Sequence, residues 1–295
     1  MKVLVTGGSG YVGQATIRAL WAHGHQVVAL ARSDDAARRV ESLGAVPVRG
    51  GLTDAALLRG AAEKTDAAIH LAQDYGPDTA TVDLAAATAI QDGLGSRPYV
   101  HTGGAWVYGN TTRFVDETAP QSPPPITAWR ADNEKRVLAR ATTGGHPVLV
   151  MPGVVYGYSG GLIGEFLGKP ASTGSAHYIG GGENRWAMVH VDDIAELYVA
   201  ALSAPAGSVY AGVDDTQSPT MRQIAEAVSI AAGRPDTASS ITMGQAAKEF
   251  GPLADAFALD QRLSAARARR ELNWTAADRD ILAELSAITD PTGLS

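Results

Sequence analysis

Thr6-Gly7-Gly8-Ser9-Gly10-Tyr11-Val12-Gly13 sets glycines at 8, 10 and 13, the spacing G-x-G-x-x-G. Glycines so spaced let a turn tighten, bring backbone N–H groups up to a diphosphate, and let a following helix pack close to the preceding strand. A helix opening at Tyr11 would also aim the positive end of its dipole at the phosphates. Gly7, Gly10, Tyr11, Val12 and Gly13 are therefore candidate diphosphate contacts. Further on, Leu30-Ala31-Arg32-Ser33 has an arginine where a carboxylate would hold a ribose 2′-hydroxyl. A guanidinium suits a 2′-phosphate instead, and Ser33 offers a hydroxyl, so this pairing favours NADP(H) over NAD(H). Asp34 and Asp35 fit the first turn of the next helix, where a carboxylate is stabilised.

Such a loop works only between a strand and a helix, and the chain supplies that context. Residues 3–6, 26–30, 46–48, 67–71, 99–102 and 148–151 are short runs, apolar on both faces, as buried parallel strands are. Stretches with helical spacing separate them, near 12–22, 34–43, 54–62, 78–94 and 127–142. Gly24 and Gly44 end the first two helices, and Pro123-Pro124-Pro125 stiffens the lead into the fifth. This alternation predicts an α/β fold, a doubly wound parallel sheet of the Rossmann type, with a smaller C-terminal lobe. Residues 1–152 are read as the dinucleotide-binding core and 153–295 as a mixed substrate lobe and lid, interleaved with that core. Residues 157–185, rich in glycine, fit either a lid over a pocket or a plain surface loop. A helix over 192–204, a strand near 209–210, a helix over 220–232 and a charged helix over 263–272 complete the reading.

The totals exclude several classes. With 45% hydrophobic and 19% charged residues among 295, the composition is that of a soluble globular protein. The net charge of -7 and the lack of a basic stripe exclude a nucleic-acid partner. No apolar run is long enough to cross a membrane, and no leader pattern precedes the first strand, so a cytoplasmic location is expected. The absence of cysteine removes disulfides and thiolate chemistry. No metal is expected: Asp192 reads as a helix cap, His190 as a strand end, and Asp214 and Asp215 as solvated loop residues.

Further segments carry a resemblance. His70-Leu71-Ala72, Pro152-Gly153-Val154-Val155-Tyr156-Gly157, the stretch from Gly180 to Asn184, Val189-His190-Val191-Asp192-Asp193 and Arg270-Glu271-Leu272-Asn273-Trp274, with the glycine loop, resemble the motifs of the extended short-chain dehydrogenase/reductases over nearly the whole length. The resemblance implies cofactor contacts at Leu52, Ala72, Gln73, Thr102, Arg130, Val154 and Val155. It also implies a Ser, a Tyr and a Lys that handle the carbonyl proton. Here Gly103 stands for the Ser, Ile126 for the Tyr and Arg130 for the Lys. The chain is thus similar to atypical members of that family, among them ketoreductases of natural-product biosynthesis.

Isoleucine has no proton to give, whereas Arg130 retains a permanent charge for a ribose. The expected reaction is hydride transfer from NADPH to the ketone of a bulky, angucyclinone-like aromatic polyketide. The proton would come from another side chain, a water or a phenol of the substrate. Asp74, Gly104, Trp106, Tyr108, Tyr156, Tyr158, His177, Tyr178 and Trp186 are the expected pocket, with Tyr75 a further proton candidate. Two other readings compete: a non-catalytic NADP(H)-binding regulator, and an epimerase or dehydratase, which would normally need an acid/base at position 126. The partner is a small-molecule ketone, and the oligomeric state is open.

Overall fold

In the computed structural model, which describes residues 1–287, strand β1 (Lys2–Thr6) buries Val3 and Val5 in one apolar cluster and Leu4 in another. A strand with apolar residues on both faces must lie inside a sheet covered on both sides. The first half accordingly alternates β1, α1 (Tyr11–Ala22), β2 (Gln26–Ala31), α2 (Asp34–Ser42), β3 (Val46–Arg49), α3 (Ala55–Glu63), β4 (Ala67–His70), α4 (Thr79–Leu94), β5 (Pro98–Thr102), α5 (Ala128–Ala139) and β6 (His146–Pro152). Gly24 and Gly44 take left-handed φ just past the caps of α1 and α2.

The remainder comprises β7 (Val154–Tyr156), α6 (Gly161–Ile163), a π-helical turn Gly164–Gly168, α7 (Lys169–Thr173), β8 (His177–Ile179), β9 (Met188–His190), α8 (Val191–Ala201), β10 (Val209–Gly212), α9 (Met221–Ala231), β11 (Ser239–Ile241), α10 (Met243–Glu249), α11 (Leu253–Phe257), α12 (Ala266–Leu272) and α13 (Ile281–Ser286). The central sheet has seven parallel strands in the order β10-β6-β5-β4-β1-β2-β3. The chain runs outward from β1 through β3, then returns to β4 on the other side of β1. That reversal opens a crevice at the carboxyl ends of β1 and β4. Helices α1 and α8 pack together on one face, and α3 and α4 on the other. β10 and α8, from beyond residue 152, thus belong to the sheet and its cover. Smaller parallel pairs, β7 with β9 and β8 with β11, stand beside a separate apolar cluster that includes Trp186, Met221 and Phe257.

Several sequence expectations change. Edge strand β3 leaves Val46 62% exposed, so it lacks the two buried faces of its neighbours. The segment 157–185 is helical over 161–173, where it buries Ile163 and Leu167 and turns Leu162 and Phe166 toward a cleft. α8 is capped by His190, whose Nδ1 accepts the Asp192 N–H at 3.2 Å, and Asp192 lies inside the first turn. Asp214 is buried and accepts from the Thr216 N–H and hydroxyl, while Asp215 pairs with Arg269. Short polar loops packed on the sheet's end shelter these carboxylates, which the sequence alone reads as solvated.

Candidate functional site

The glycine loop is built so that side chains are excluded. Gly7 has φ +75°, and a Cβ there would stand 2.7 Å from the Ala72 nitrogen. At Gly13 a Cβ would lie 2.0 Å from the Gly7 carbonyl oxygen. The Gly10 N–H donates to that same carbonyl at 3.0 Å and closes the turn. Gly10 then caps α1 with no side chain, and no acidic residue occupies the first turn. The first-turn N–H groups and the positive helix end are left for an anion. This cradle fits the diphosphate of a dinucleotide.

Beyond the glycine loop, Arg32 follows β2 and is exposed. Ser33 caps α2, its oxygen accepting the Ala36 N–H at 3.2 Å, and its hydroxyl hydrogen stays available. Asp34 and Asp35 occupy the first turn of α2 as expected. Leu52 packs beneath α3 against the cluster containing Leu58.

The crevice continues into a cleft of about 780 Å³. Of the expected cofactor contacts, Tyr11, Val12, Gln73, Arg130, Val154 and Val155 line it. Arg130 is held from two sides: Nη1 donates to the Thr102 carbonyl at 3.1 Å and Nη2 to Gln73 Oε1 at 2.6 Å. Its guanidinium lies over the Trp129 ring, 4.6 Å from the centroid. Thr102 itself is tied through its hydroxyl to Tyr198 at 2.9 Å. Ile126 lines the cleft beside Arg130.

Of the expected pocket residues, Gly104 and Trp106 line the cleft. The others stand elsewhere among the described residues. Tyr108 is buried by the turn after β5, and its hydroxyl faces the Glu117 carbonyl at 3.4 Å. Tyr156 is buried edge-on to His190, and Trp186 is a core ring whose Nε1 donates to the Phe257 carbonyl at 3.0 Å. His177 pairs with Glu249 at 2.7 Å, and Tyr178 lies under the Arg222 guanidinium. Tyr158 donates outward to Asp192 at 2.5 Å. The Asp74 carbonyl accepts from the Thr79 hydroxyl at the start of α4, and Asp74 stays outside the cleft lining. The walls come instead from residues with no motif to mark them: Tyr75, Trp129, Leu162, Phe166, Pro252 and Leu253. Only Tyr75, as a solitary aromatic next to the β4 signature, left a trace in the sequence.

The turn after β5 also changes an assignment. A Cβ at Gly103 would meet Met151 Sδ at 2.3 Å and Glu134 Oε1 at 2.8 Å, pointing into the protein. One at Gly104 would meet only Arg130 Nε, at 4.0 Å. The position whose side chain would face the cleft is Gly104, not Gly103.

Behind the cleft lie buried ionisable groups. Glu134 touches the rear of Gly103, and its carboxyl oxygens have no hydrogen-bond partner. Burial pushes it up to about 7 against the pull of Arg130. His70, Asp83 and His101 converge from β4, α4 and β5 with ligand-capable atoms within 4.8 Å of one another, a cluster their sequence spacing conceals. Thr6 Oγ1 accepts the Ala72 N–H and lies 2.6 Å from His70 Nδ1. His70 Nε2 lies 3.5 Å and His101 Nε2 3.8 Å from the Asp83 carboxylate. Burial alone would raise Asp83, but the His70 hydrogen bond, the neighbouring imidazoles and Asn133 outweigh it and hold it down to about 2. Asn133 Nδ2 donates to Asp83 Oδ2 at 2.9 Å and ties α5 to α4 beside the two sheet histidines.

The Arg270–Trp274 ending is structural too: Asn273 turns left-handed and Trp274 Nε1 donates to the Asp193 carbonyl at 2.9 Å.

Several known proteins are similar to this chain. A Schizosaccharomyces pombe protein of uncharacterised role is 28% identical over 97% of this chain and 99% of its own. The 4-hydroxy-2-methyl-3-oxo-4-farnesyl-3,4-dihydroquinoline-1-oxide ketoreductase of Stigmatella aurantiaca is 31% identical, covering 71% of this chain and 67% of its own. The structure of a Thermotoga maritima UDP-glucose 4-epimerase with UDP-glucose superposes with a TM-score of 0.80 at 17% identity, over 98% of this chain and 97% of that one. The model of the NAD dependent epimerase/dehydratase family matches residues 3–211, and the chain belongs to that family.

Proposed function

We propose that this protein is an NADPH-dependent ketoreductase that reduces the ketone of a bulky aromatic natural product without the Ser, Tyr and Lys of its family. The observation that carries this reading is the cleft wall. Aromatic and aliphatic side chains close around the end of the glycine loop, and the position expected to hold a proton-donating tyrosine is Ile126. Among the described residues, Arg130 alone brings a full charge to that wall. An apolar, flat molecule fits such walls, and the Stigmatella aurantiaca relative's name describes a farnesylated dihydroquinoline.

NADPH, when bound, supplies the hydride. Gly7, Gly10 and Gly13 keep side chains away from the diphosphate, and the first turn of α1 supplies N–H donors. Arg32 and Ser33 would meet the 2′-phosphate. Arg130, held by Thr102 and Gln73, is positioned to donate to a ribose hydroxyl. Trp106, Phe166 and Leu162 exclude water and hold the ketone flat. The charge that develops on the ketone oxygen then falls to a phenol of the substrate beside that carbonyl, or to an ordered water.

NADPH oxidation, followed by absorbance with a panel of quinones and angucyclinone-type ketones, tests the proposal. Turnover on aromatic ketones is expected. Tight NADPH binding with no turnover across the panel would favour the regulator. Turnover of sugar nucleotides in its place would favour an epimerase.

A further inference from the structure

The rim where the adenosine ribose would lie holds more charge than Arg32 alone. Arg49, the last residue of β3, pairs in register with Ala31 at the end of β2. Its Nη1 donates to the Ser33 carbonyl, and its Nη2 forms an ion pair with the Asp34 carboxylate. Asp35, the next residue, is paired by Arg38 one turn along α2. Arg39 leans the other way, with Nη1 3.5 Å from the Ser9 carbonyl of the glycine loop. Four guanidiniums and two carboxylates therefore ring the start of α2, and each carboxylate is paired with an arginine.

The placing of Asp34 matters. A carboxylate just past β2 is the group that binds a ribose 2′-hydroxyl in NAD-dependent enzymes, and the same charge repels a 2′-phosphate. Asp34 lies two residues beyond Arg32. Left unpaired, it would oppose Arg32 and offer a bare ribose an acceptor.

We propose that Arg49 is a positioning residue for cofactor choice: it neutralises Asp34, ties it toward β3, and fixes the Ser33 backbone, so that Arg32 and the Ser33 hydroxyl face a 2′-phosphate without a competing carboxylate. The inference rests on the NADP(H) reading above. It adds a selectivity element on a different strand from the one that carries Arg32. The pair is largely exposed, so its influence is a local field and not a large contribution to folding.

Calorimetric titration with NADP⁺ and with NAD⁺ tests it on the full chain. The proteins are wild type, Arg49→Ala, Arg49→Lys, and the double variant Asp34→Asn/Arg49→Ala, each at low and at high salt. Wild type is expected to prefer NADP⁺. Arg49→Ala should lose about three- to tenfold in NADP⁺ affinity at low salt while NAD⁺ binding is unchanged or tighter. Removing the freed charge in the double variant should restore NADP⁺ affinity, and Arg49→Lys should retain most of it. A merely structural arginine would weaken both cofactors alike and would not be rescued by Asp34→Asn. Either of those results, or an unchanged preference in Arg49→Ala, overturns the proposal while the NADP(H) reading stands. A wild type with no preference for NADP⁺ overturns that reading, and the role of Arg49 with it.

Discussion

Gly104, Ile126 and Arg130 stand together on the cleft wall, and their chemistry decides what the site can do. A serine at 104 meets open space beside Arg130, whereas a serine at 103 would press on Met151 and Glu134. Gly104→Ser is therefore expected to leave thermal stability within about 0.5 kcal/mol of wild type, and Gly103→Ser to lower it by about 1–3 kcal/mol. Denaturant melts of the two variants check this. Equal losses would show that the turn is placed differently. Ile126→Tyr, alone or with Gly104→Ser, should leave ketone reduction close to wild type if, as proposed, the substrate or water supplies the proton. A gain on the order of a hundredfold, the scale of a restored general acid, would contradict that proton source. Arg32→Ala should weaken NADPH at least about tenfold more than NADH, since only NADPH carries the second phosphate that a guanidinium grips. Parallel losses in a fluorescence titration would remove Arg32 from the 2′-phosphate.

At the level of elements, helix α5 carries Arg130 on the cleft side and Glu134 one turn later against the rear of Gly103. Glu134 is held near 7, above its usual value, so between about 4.5 and 7 the folded protein keeps a proton that the unfolded chain has released. Its contribution therefore falls as pH rises through that window and is flat above it. Glu134→Gln should raise stability at pH 8 relative to wild type by as much as about 3 kcal/mol, with the difference vanishing near pH 4. Melting curves across that range check the sign, and a variant less stable than wild type at pH 8 would contradict it. The strands and helices of the first half were legible because period and punctuation agree there: apolar runs, then helical spacing, then Gly24 and Gly44. The cap of α8 was not, because His190, two residues ahead of Asp192, takes the cap and accepts the Asp192 N–H. The register of the β5 turn escaped as well. Two adjacent glycines carry no side chain to show which one faces the cleft.

Across the whole molecule, the sheet order places the reversal between β1 and β4, and the glycine loop, the β5 turn and α5 all converge on it. The glycine turn was readable in advance, since backbone geometry there demands glycine. The lining of the cleft was not. Trp186, Tyr156, Tyr178 and His177 go to the core or to local pairs, while Phe166 and Leu253 reach the cleft through long-range packing that no local spacing encodes. No described helix is long and apolar enough to cross a membrane. One titration tests the diphosphate cradle most directly: NADPH added to the wild-type protein and to Gly13→Ala, followed by calorimetry. A saturable heat of one cofactor per chain in wild type, lost when a methyl group is set 2.0 Å from the Gly7 carbonyl, is the predicted result. No heat from folded wild-type protein, or undiminished binding by the variant, would contradict it.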